Sequence, residues 1–392
     1  MPDNTPTPEA LTSDAPTSNA QTGAVRPRVA LLFGGRSSEH AVSCVTAAGV
    51  LGAIDKAKYE VIPIGIAKTG QWVLASGDTR AWSLSASSLP EVTPSEQTVT
   101  LAEIGGEHQL IVAAPNQVPQ ELGSVDVVFP LLHGPFGEDG TIQGLLELSD
   151  TRYVGAGVLA SAVGMDKHYM KVVFESAGLR VGPYITVTDR QWLTDPESVR
   201  KRVDALGFPV FVKPARAGSS MGISKVDSLD GLDAAIETAR EHDPKLVIEA
   251  GIVGREIECA VLEGRGTDAP RTSMPGEISV AGGGHDFYDF NAKYVEDDAA
   301  SLSCPAELPE EDIARVRELA AVAFDAVGAE GLSRVDFFYT PEGELIINEI
   351  NTMPGFTPKS MYPQMWKASG LDYAELIDEL IYLALHRKTG LR

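Results

Sequence analysis

The chain has 392 residues, of which 43% are hydrophobic and 22% are charged, and its formal net charge is −23. This length predicts two or three domains with sizeable cores, and the acidic balance argues against general binding to nucleic acids or anionic membranes. The three cysteines show neither metal nor disulfide spacing, which favours a cytoplasmic protein, and no apolar stretch approaches the roughly 20 residues of a membrane-spanning helix.

The first part of the chain predicts a doubly wound α/β domain over residues 26–153, preceded by a disordered tail over residues 1–25 that is rich in Pro, Thr, Ser and Asp. The predicted elements of this domain are strands over 28–33, 61–66 and 125–130 and a helix over 39–54. Residues 76–123 show no clear pattern, and the stretch 83–98 predicts a surface excursion. Ligands of such domains bind beyond the carboxyl ends of the strands.

The rest of the chain predicts two further units, over residues 154–249 and 250–392. The predicted elements of the first are helices over 160–177 and 229–241 and strands over 210–214, 223–226 and 246–249. Those of the second are a strand over 257–262, a helix over 309–327, a strand pair over 334–350 and a terminal amphipathic helix over 372–387.

Two glycine-rich loops in the first domain are candidates for ligand binding. The loop 133–144 carries glycines that let the backbone approach a small ligand, but its composition fits a turn with a helix cap equally well. The loop 34–39 has neither the spacing of a dinucleotide fingerprint nor that of a P-loop. Glu39, near the start of the following helix, fits either an anchor for a ligand amine or a side chain that complements the helix dipole.

Two further segments carry a lysine or a flexible hinge. Lys213 ends an apolar strand just before a small-residue loop, a placement that suits ATP phosphates but also fits a solvent-facing lysine before a hairpin turn. Lys167 is a plainer candidate on a helix surface. The segment 282–294 places three glycines before an aromatic stretch, which favours a closing lid over an idle surface loop.

The most informative segment is a pair of apolar strands late in the chain. Asp336 lies between apolar residues of the first strand, while Glu349 and Asn351 are two apart in the second and share a face. Apolar neighbours imply burial, and burying these polar groups would be costly without a bound cation. Such oxygen ligands suit Mg²⁺, which takes its other ligands from phosphates and water. With Arg334 and the turn 354–355 beside them, they predict an enzyme that handles a magnesium-bound nucleotide.

These motifs together resemble the D-alanine–D-alanine ligases, which have the ATP-grasp fold, from about residue 28 to the C-terminus. Two of the motifs are highly specific: His-Gly-x-x-Gly-Glu-Asp-Gly-x-Ile-Gln-Gly over 133–144, and Arg-Val-Asp-Phe-Phe followed by Ile-x-Glu-Ile-Asn-Thr-x-Pro-Gly over 334–355. Shorter matches occur at 165–167, 213–220 and 287–294. The resemblance implies an α/β chain with a three-domain ATP-grasp fold, which is α+β in its ATP-grasp part.

The resemblance also implies a role for each matching position. At the reaction centre, Asp336, Glu349 and Asn351 would bind two Mg²⁺ or Mn²⁺ ions, and Arg334 with the Gly355 N–H would form the oxyanion site. The implied ATP-binding positions are Lys167, Lys213 and Ser220 at the phosphates, Glu249, Ala250 and Ile252 at adenine, and Glu256 at the ribose.

The substrate positions implied by the resemblance come from three parts of the chain. Glu39 would hold the amine of the first D-alanine with help from His133. The implied positions around the second D-alanine are Lys293, Ser360 and Met361. Tyr294, Ser219 and Glu39 would form a hydrogen-bonded triad that closes the lid.

The implied activity is ATP-dependent ligation of two D-alanines through a D-alanyl phosphate, for peptidoglycan precursors, by a cytoplasmic homodimer. A monovalent cation is an additional candidate cofactor. The alternatives within the fold are a D-alanine–D-lactate ligase, a D-alanine–D-serine ligase and another carboxylate–amine ligase, and Tyr294 after Lys293 argues for the dipeptide class. The alternatives of another class are a silent nucleotide-binding protein, which the complete set of charged positions opposes, and a nicotinamide-dependent oxidoreductase, whose glycine spacing is missing.

Overall fold

The structure, a computed structural model, describes residues 26–82, 89–104, 107–218, 221–280 and 300–390, so the predicted tail lies outside the described residues. The helices in these ranges are α1 (His40–Ala53), α2 (Thr141–Leu148), α3 (Val158–Met165), α4 (Lys167–Ser176), α5 (Asp189–Thr194), α6 (Pro196–Asp204), α7 (Leu232–Arg240), α8 (Glu310–Ala326), α9 (Met361–Ala368) and α10 (Tyr373–His386). Within the same ranges, no helix is both long and apolar enough to cross a membrane.

The strands of these ranges form four sheets. The strands are β1 (Arg28–Gly34), β2 (Glu60–Ile66), β3 (Trp72–Leu74), β4 (Thr98–Ile104), β5 (Glu107–Ala113), β6 (Gln120–Ser124), β7 (Val127–Pro130), β8 (Tyr184–Thr188), β9 (Val210–Pro214), β10 (Ser224–Val226), β11 (Lys245–Ala250), β12 (Arg255–Leu262), β13 (Arg271–Thr272), β14 (Gly276–Val280), β15 (Ala300–Ser303), β16 (Leu332–Tyr339) and β17 (Leu345–Asn351). The sheet orders are β3-β2-β1-β7, β4-β5-β6, β10-β9-β11-β8 and β15-β14-β12-β16-β17, with β13 paired to β12.

The first sheet has helices on both faces. β1 pairs in parallel with β2 and β7. Leu31 and Phe33 belong to the core that includes α1, whereas Leu32 belongs to the core that includes Ile142 and Leu146 of α2. Alternate side chains of one strand therefore enter opposite cores, as a doubly wound sheet requires.

The region without a clear sequence pattern forms a small antiparallel sheet of its own. β5 pairs with β4 on one side and with β6 on the other. Val99 and Leu110 from this sheet are buried in the core that contains α2. In the predicted surface excursion just before it, Val92 is 1% exposed and its N–H donates to His40 Nε2 at 2.9 Å, so part of that stretch is core.

The third sheet is antiparallel and carries two site residues at strand ends. β11 pairs with β8 and β9, and β9 pairs with β10. In this register Val247 lies opposite Lys213, and Glu249 lies opposite Phe211. The sheet packs against α7 through a core that includes Ile236.

The fourth sheet packs on both faces. One core joins it to α8, and α3 and α4 enter the same core through Ala160, Met170 and Phe174. The other core joins Ala260 and Leu262 of β12 to α9, α10 and the first sheet. The helices α3 and α4 follow the predicted boundary at residue 154 yet pack on the C-terminal sheet. The three domain boundaries stay a prediction, and packing alone does not divide the chain there.

Candidate active site

The strand pair β16–β17 places the candidate metal ligands opposite one another. Asp336 is the register partner of Glu349, and Arg334 is that of Asn351, with a shift of register directly after Asp336. Asp336 is buried and accepts a hydrogen bond of 3.0 Å from Asn351 Nδ2. The pleat therefore brings all four side chains to one face of the sheet.

Arg334 is held by carboxylates from two strands. Its Nε and Nη2 each donate to an oxygen of Asp336 at 2.7 Å, and Nε lies 3.1 Å from Oε1 of Glu258 on β12. Glu258 is the register partner of Asp336 on the other side of β16. Burial by itself would lower the pKa of Arg334, but Asp336 and Glu258 outweigh burial and raise that pKa well above its usual range. The guanidinium is therefore a fixed cation beside the candidate metal ligands.

The donor set at this face fits a hard divalent cation that binds together with phosphates. Asp336 and Glu349 offer carboxylate oxygens, and the Asn351 amide offers its oxygen after a rotation that exchanges O and N. Within the described ranges, no group of three or more His, Cys, Asp or Glu side chains is arranged to hold a metal. A site with so few protein ligands leaves positions for phosphate oxygens and water, which suits Mg²⁺.

Two lysines lie next to this face. Lys167, the first residue of α4, lies 3.8 Å from Glu349 Oε2 and donates to the Ala217 carbonyl at 3.0 Å. Lys213 on β9 donates to Glu249 Oε2 at 2.7 Å. Burial would lower the pKa of Lys213, but Glu249 counteracts this and the pKa is raised. Lys213 therefore remains a cation where a phosphate chain would need one.

The predicted adenine residues lie at the end of β11 and just after it. Glu249 is buried, and its Oε1 lies 3.1 Å from Nζ of Lys171 on α4. Burial would raise the pKa of Glu249, but Lys171 and Lys213 together lower it to about 2. Ile252 packs over Gly182 so closely that a Cβ on Gly182 would lie 2.7 Å from Ile252 Cδ1. This glycine leaves room for an apolar wall beside the charged end of the strand.

Two more of the predicted ATP residues have definite places on strands. Ala250 is the last residue of β11, and its N–H donates to the Pro183 carbonyl at 2.9 Å. Glu256 lies on β12 between Ile278 of β14 and Phe338 of β16. Both positions are therefore fixed by the backbone hydrogen bonds of their strands.

Glu39 lies where three loops meet. It is 6% exposed and is the N-cap residue of α1. A Cβ on Gly134 would lie 2.3 Å from Glu39 Oε2, and a Cβ on Gly218 would lie 2.7 Å from the same oxygen. Gly134 also has a φ of +71°, which L side chains rarely adopt. Both loops therefore reach this carboxylate only because they carry glycine at these positions.

His133 and Glu138 clamp one residue of the loop that follows β17. The Met353 carbonyl lies 3.1 Å from His133 Nδ1, and the Met353 N–H donates to Glu138 Oε1 at 3.2 Å. Glu138 Oε2 accepts from the Gly134 N–H at 2.6 Å. Burial lowers the pKa of His133. Burial and the nearby Glu39 raise the pKa of Glu138 to about 8. The loop before Gly355 is therefore fixed to the loop after β7 through both the N–H and the carbonyl of Met353.

Some of the remaining predicted residues lie in the described part of the structure, and the others lie outside it. Ser360 is the N-cap residue of α9, where its Oγ accepts from the Thr357 N–H at 3.1 Å, and Met361 is buried next to Gly276. Gly355 lies in the loop between β17 and α9. The predicted lid at 282–294 lies outside the described residues. Four predicted site residues also lie outside them, namely Ser219, Ser220, Lys293 and Tyr294.

The sequence matches two family models in chain order. The model described as D-ala D-ala ligase N-terminus covers residues 28–156, and the one described as D-ala D-ala ligase C-terminus covers residues 173–382. The chain belongs to the D-alanine–D-alanine ligase family. The D-alanine–D-alanine ligase of Arthrobacter sp. (strain FB24) is 89% identical over 370 residues, which are 94% of this chain and 97% of that protein. That of Pseudarthrobacter chlorophenolicus is 87% identical over 376 residues, 96% of this chain and 98% of that protein.

Solved structures of the ligase family confirm the predicted α/β ATP-grasp fold. The VanG D-Ala:D-Ser ligase from Enterococcus faecalis is 36% identical, with a TM-score of 0.76 over 92% of this chain and 100% of that one. The D-alanine–D-alanine ligase from Coxiella burnetii is 34% identical, with a TM-score of 0.75 over 93% of this chain and 95% of that one. The family resemblance inferred from the motifs is therefore confirmed as well.

Three buried charged residues of this ligase-family site were not singled out from the sequence. Glu258 carries the same signal as Asp336, namely a carboxylate inside an apolar strand. Lys171 follows Lys167 by one helical turn, a spacing that puts both on one face of α4. Glu138 lies inside the specific loop motif, but its contact with Met353 joins residues too distant in the chain for a local pattern to predict.

Proposed function

We propose that this chain joins two D-alanine molecules into D-alanyl-D-alanine, a peptidoglycan precursor, while ATP is converted to ADP and phosphate. The observation that carries the proposal is a continuous line of contacts from the amine side to the metal face. Glu39 contacts Gly218, the neighbouring Ala217 accepts a hydrogen bond from Lys167, and Lys167 lies beside Glu349. Three curated relatives at 86% to 89% identity are D-alanine–D-alanine ligases, which supports this choice.

The first half-reaction activates a carboxylate, which is a poor acyl donor by itself. The carboxylate oxygen of the first D-alanine bonds to the γ-phosphorus of ATP, the bond between that phosphorus and the ADP oxygen breaks, and ADP leaves. Lys167 and Lys213 bind the phosphate oxygens and neutralise part of their charge. Asp336, Glu349 and Asn351 would hold the divalent cations, whose positive charge would stabilise the transferring phosphoryl group.

The second half-reaction forms the peptide bond. The free amine of the second D-alanine attacks the acyl carbon of D-alanyl phosphate, phosphate leaves, and the new amide nitrogen releases its extra proton. Arg334 and the Gly355 N–H stabilise the oxyanion that forms on the way. Water must stay out because it would hydrolyse the acyl phosphate. The clamp on Met353 supports this role, since it fixes the loop that carries Gly355.

Both amino acids need charged or polar partners in this scheme. We assign the amine of the first D-alanine to Glu39, which is buried beside His133. The carboxylate of the second would be held by Lys293 and by Ser360 and Met361 at the N-terminus of α9, where backbone N–H groups favour an anion. Tyr294 and Ser219 would join Glu39 in closing the site.

A D-alanine–D-serine ligase is the second candidate, because the VanG D-Ala:D-Ser ligase resembles this chain over nearly its full length. The two candidates differ only in the second substrate. The test is phosphate release from ATP by the purified chain, with D-alanine, L-alanine, D-serine and D-lactate compared in parallel and the product identified by mass spectrometry. D-alanine alone should give rapid release and D-alanyl-D-alanine. A mixed D-alanyl-D-serine product formed faster than the dipeptide would overturn the first assignment.

The identity of the metal and the assembly are proposals of the same kind. We assign Mg²⁺ or Mn²⁺ to the metal face, with a monovalent cation as an additional activator, and we assign the enzyme to the cytoplasm. We also propose a homodimer, which four exposed apolar side chains on the adjoining helices α2 and α3 support: Leu145, Leu148, Val158 and Leu159. Activity after chelation and re-addition of each ion tests the metals. Light scattering on the intact chain tests the dimer, and a monomer mass would refute it.

A further inference from the structure

Lys171 is a buried lysine that the reaction scheme above does not use. Its side chain is 3% exposed, and its Nζ lies 3.1 Å from Glu249 Oε1. The same Nζ lies 3.5 Å from the Asn348 carbonyl of β17 and 5.8 Å from the centre of the Tyr184 ring on β8. One ammonium group thus joins α4 to both sheets that enclose the nucleotide residues. A lysine is rarely buried to this degree without a paired charge, and Glu249 supplies that charge.

Each carboxylate oxygen of Glu249 faces a different lysine, and the two lysine side chains differ in their room to move. Oε2 accepts from Lys213 at 2.7 Å, and Oε1 faces Lys171. The Lys213 side chain is 14% exposed, whereas that of Lys171 is 3% exposed. Lys213 lies on the strand before the glycine-containing loop and can turn toward a phosphate. Lys171 is enclosed by α4, β8 and β17 and has no such path.

This difference matters when ATP enters. The proposed role of Lys213 at the phosphates requires it to leave Glu249, and a buried carboxylate that loses its cation is strongly destabilised. A second, permanent cation removes this obstacle. Glu249 can then remain ionised and offer an oxygen to the amino group of adenine.

We propose that Lys171 is a positioning residue of the nucleotide site. It holds and neutralises Glu249, so that Lys213 can leave Glu249 and bind ATP. The inference rests on the proposed function of Lys213 and Glu249 in ATP binding and adds a residue that acts through them. Lys171 itself touches neither the phosphates nor the adenine in this scheme. Without Lys171, Glu249 holds Lys213 more tightly, and ATP has to compete for that lysine.

The decisive experiment compares Lys171→Met, Glu249→Gln and the double variant. Calorimetry measures ADP binding with Mg²⁺ present, and steady-state kinetics give KM for ATP and for D-alanine. Lys171→Met should weaken ADP binding and raise KM for ATP at least tenfold, while KM for D-alanine changes less than twofold. In the Glu249→Gln background the Glu249 carboxylate no longer competes for Lys213. Adding Lys171→Met there should change nucleotide affinity less than threefold.

Three results would overturn the proposal. One is an unchanged affinity for ADP in Lys171→Met. Another is an equal loss of affinity in the presence and absence of the Glu249 charge, which would mean that Lys171 binds the nucleotide directly or is only structural. The third is a parallel rise in KM for D-alanine. If Lys171→Met does not fold, the double variant still tests the proposal, because it leaves neither an unpaired buried carboxylate nor an unpaired buried ammonium at this place. A nucleotide affinity more than threefold below that of Glu249→Gln would then overturn the proposal.

A matched control is Lys58→Met, which removes a lysine that pairs with Asp378 in another part of the molecule. Its nucleotide affinity should equal that of the wild type. ADP binding also separates this inference from the proposed reaction. If the wild type binds ADP but forms no dipeptide, the proposed function fails while Lys171 remains testable by binding.

Discussion

The two sides of the candidate site differ in the groups that surround their buried carboxylates. On the nucleotide side, Glu249 lies between two lysines, and Asp336 is bound by Arg334. On the amino-acid side, Glu39 and Glu138 are neighbours around Gly134, and the nearby Glu39 helps to raise the pKa of Glu138. The first arrangement keeps Glu249 ionised, as its proposed contact with adenine requires, whereas the second favours a neutral Glu138 in a backbone clamp.

This difference fits the ligands that we propose for each side. ATP and its metal ions carry large charges, so the proposed site needs protein groups that are already ionised. Before the ligand binds, these groups form ion pairs with one another. The first D-alanine would bring one ammonium group, for which Glu39 would be sufficient in the proposed scheme. A second ionised carboxylate beside Glu39 would be repelled by it, and protonation of Glu138 relieves that repulsion.

The largest expected effect is on the paired side, at the metal face. We predict that Asp336→Asn or Glu349→Gln abolishes ligase turnover while the protein stays folded. Each change removes a ligand of the proposed divalent cations, which should reduce transition-state stabilisation by several kcal/mol. The measurement is dipeptide formation at saturating Mg²⁺, with circular dichroism as the control for folding. Near-normal activity in either variant would show that these carboxylates do not bind the metal.

The next effect concerns the cation that Asp336 already holds. We predict that Arg334→Lys lowers kcat by more than about tenfold, or 1.4 kcal/mol, although the positive charge remains. A lysine cannot make the two parallel hydrogen bonds to Asp336 and still contact Glu258. Steady-state kinetics provide the measurement. A smaller loss would indicate an arginine with only a structural role.

The two carboxylate environments predict opposite dependences of folding stability on pH. The pKa of Glu138 is raised from the ordinary glutamate value of 4.5 to about 8. Between these two pH values, the folded protein keeps a proton on Glu138 that the unfolded chain has lost. The stabilisation from Glu138 is therefore full at low pH and is lost as pH rises toward 8. Its slope is at most about 1.4 kcal/mol per pH unit. For Glu249, whose pKa is lowered to about 2, the contribution is present at neutral pH and is lost in acid.

Urea unfolding of the wild type and of two variants measures this opposition. Relative to Glu138→Gln, the wild type should lose free energy of unfolding as pH rises from about 5 to about 8. Relative to Glu249→Gln, it should lose free energy of unfolding as pH falls below the ordinary glutamate range. Burial lowers the pKa of His133, but this residue is present in every protein compared. Parallel pH profiles for the two variants would refute the contrast between the two sides.

The smallest expected effect is at Tyr294, which lies outside the described residues. We predict that Tyr294→Phe weakens D-alanine use by about 1 kcal/mol, because one neutral hydrogen bond to the Glu39 triad is lost. More ATP should also be hydrolysed without dipeptide formation. The ratio of phosphate to dipeptide is the measurement. Tyr382→Phe, a change in α10 at the cation–π contact with Arg265, is the control and should leave the ratio unchanged.

Much of the fold was visible as local pattern. The strand pair that carries Asp336 and Glu349 was predicted from apolar neighbours and a period of two, and both strands are present. The first strand and the helix after it, α1, were predicted from one apolar run and the helix start near Glu39. The sheet β4-β5-β6 was missed, although Val99 and Leu101 of β4 alternate with Thr98 and Thr100. The break between α3 and α4 was also missed, where Asp166 caps the second helix.

The sequence by itself determined which residues could carry the chemistry. A buried strand exposes alternate side chains to one face, so the spacing of Glu349 and Asn351 already implied a shared site. The family motifs determined the reaction class in the same way, since their glycines and charges are local in the chain.

Only the tertiary structure decided which charges meet. Lys171, Lys213 and Glu249 come from α4, β9 and β11, and no local spacing relates them. Glu138 reaches Met353 only because the first sheet and the fourth sheet share one core. The state of a buried charge depends on its neighbours in space, because Coulomb attraction and desolvation both act over a few ångströms and not along the chain.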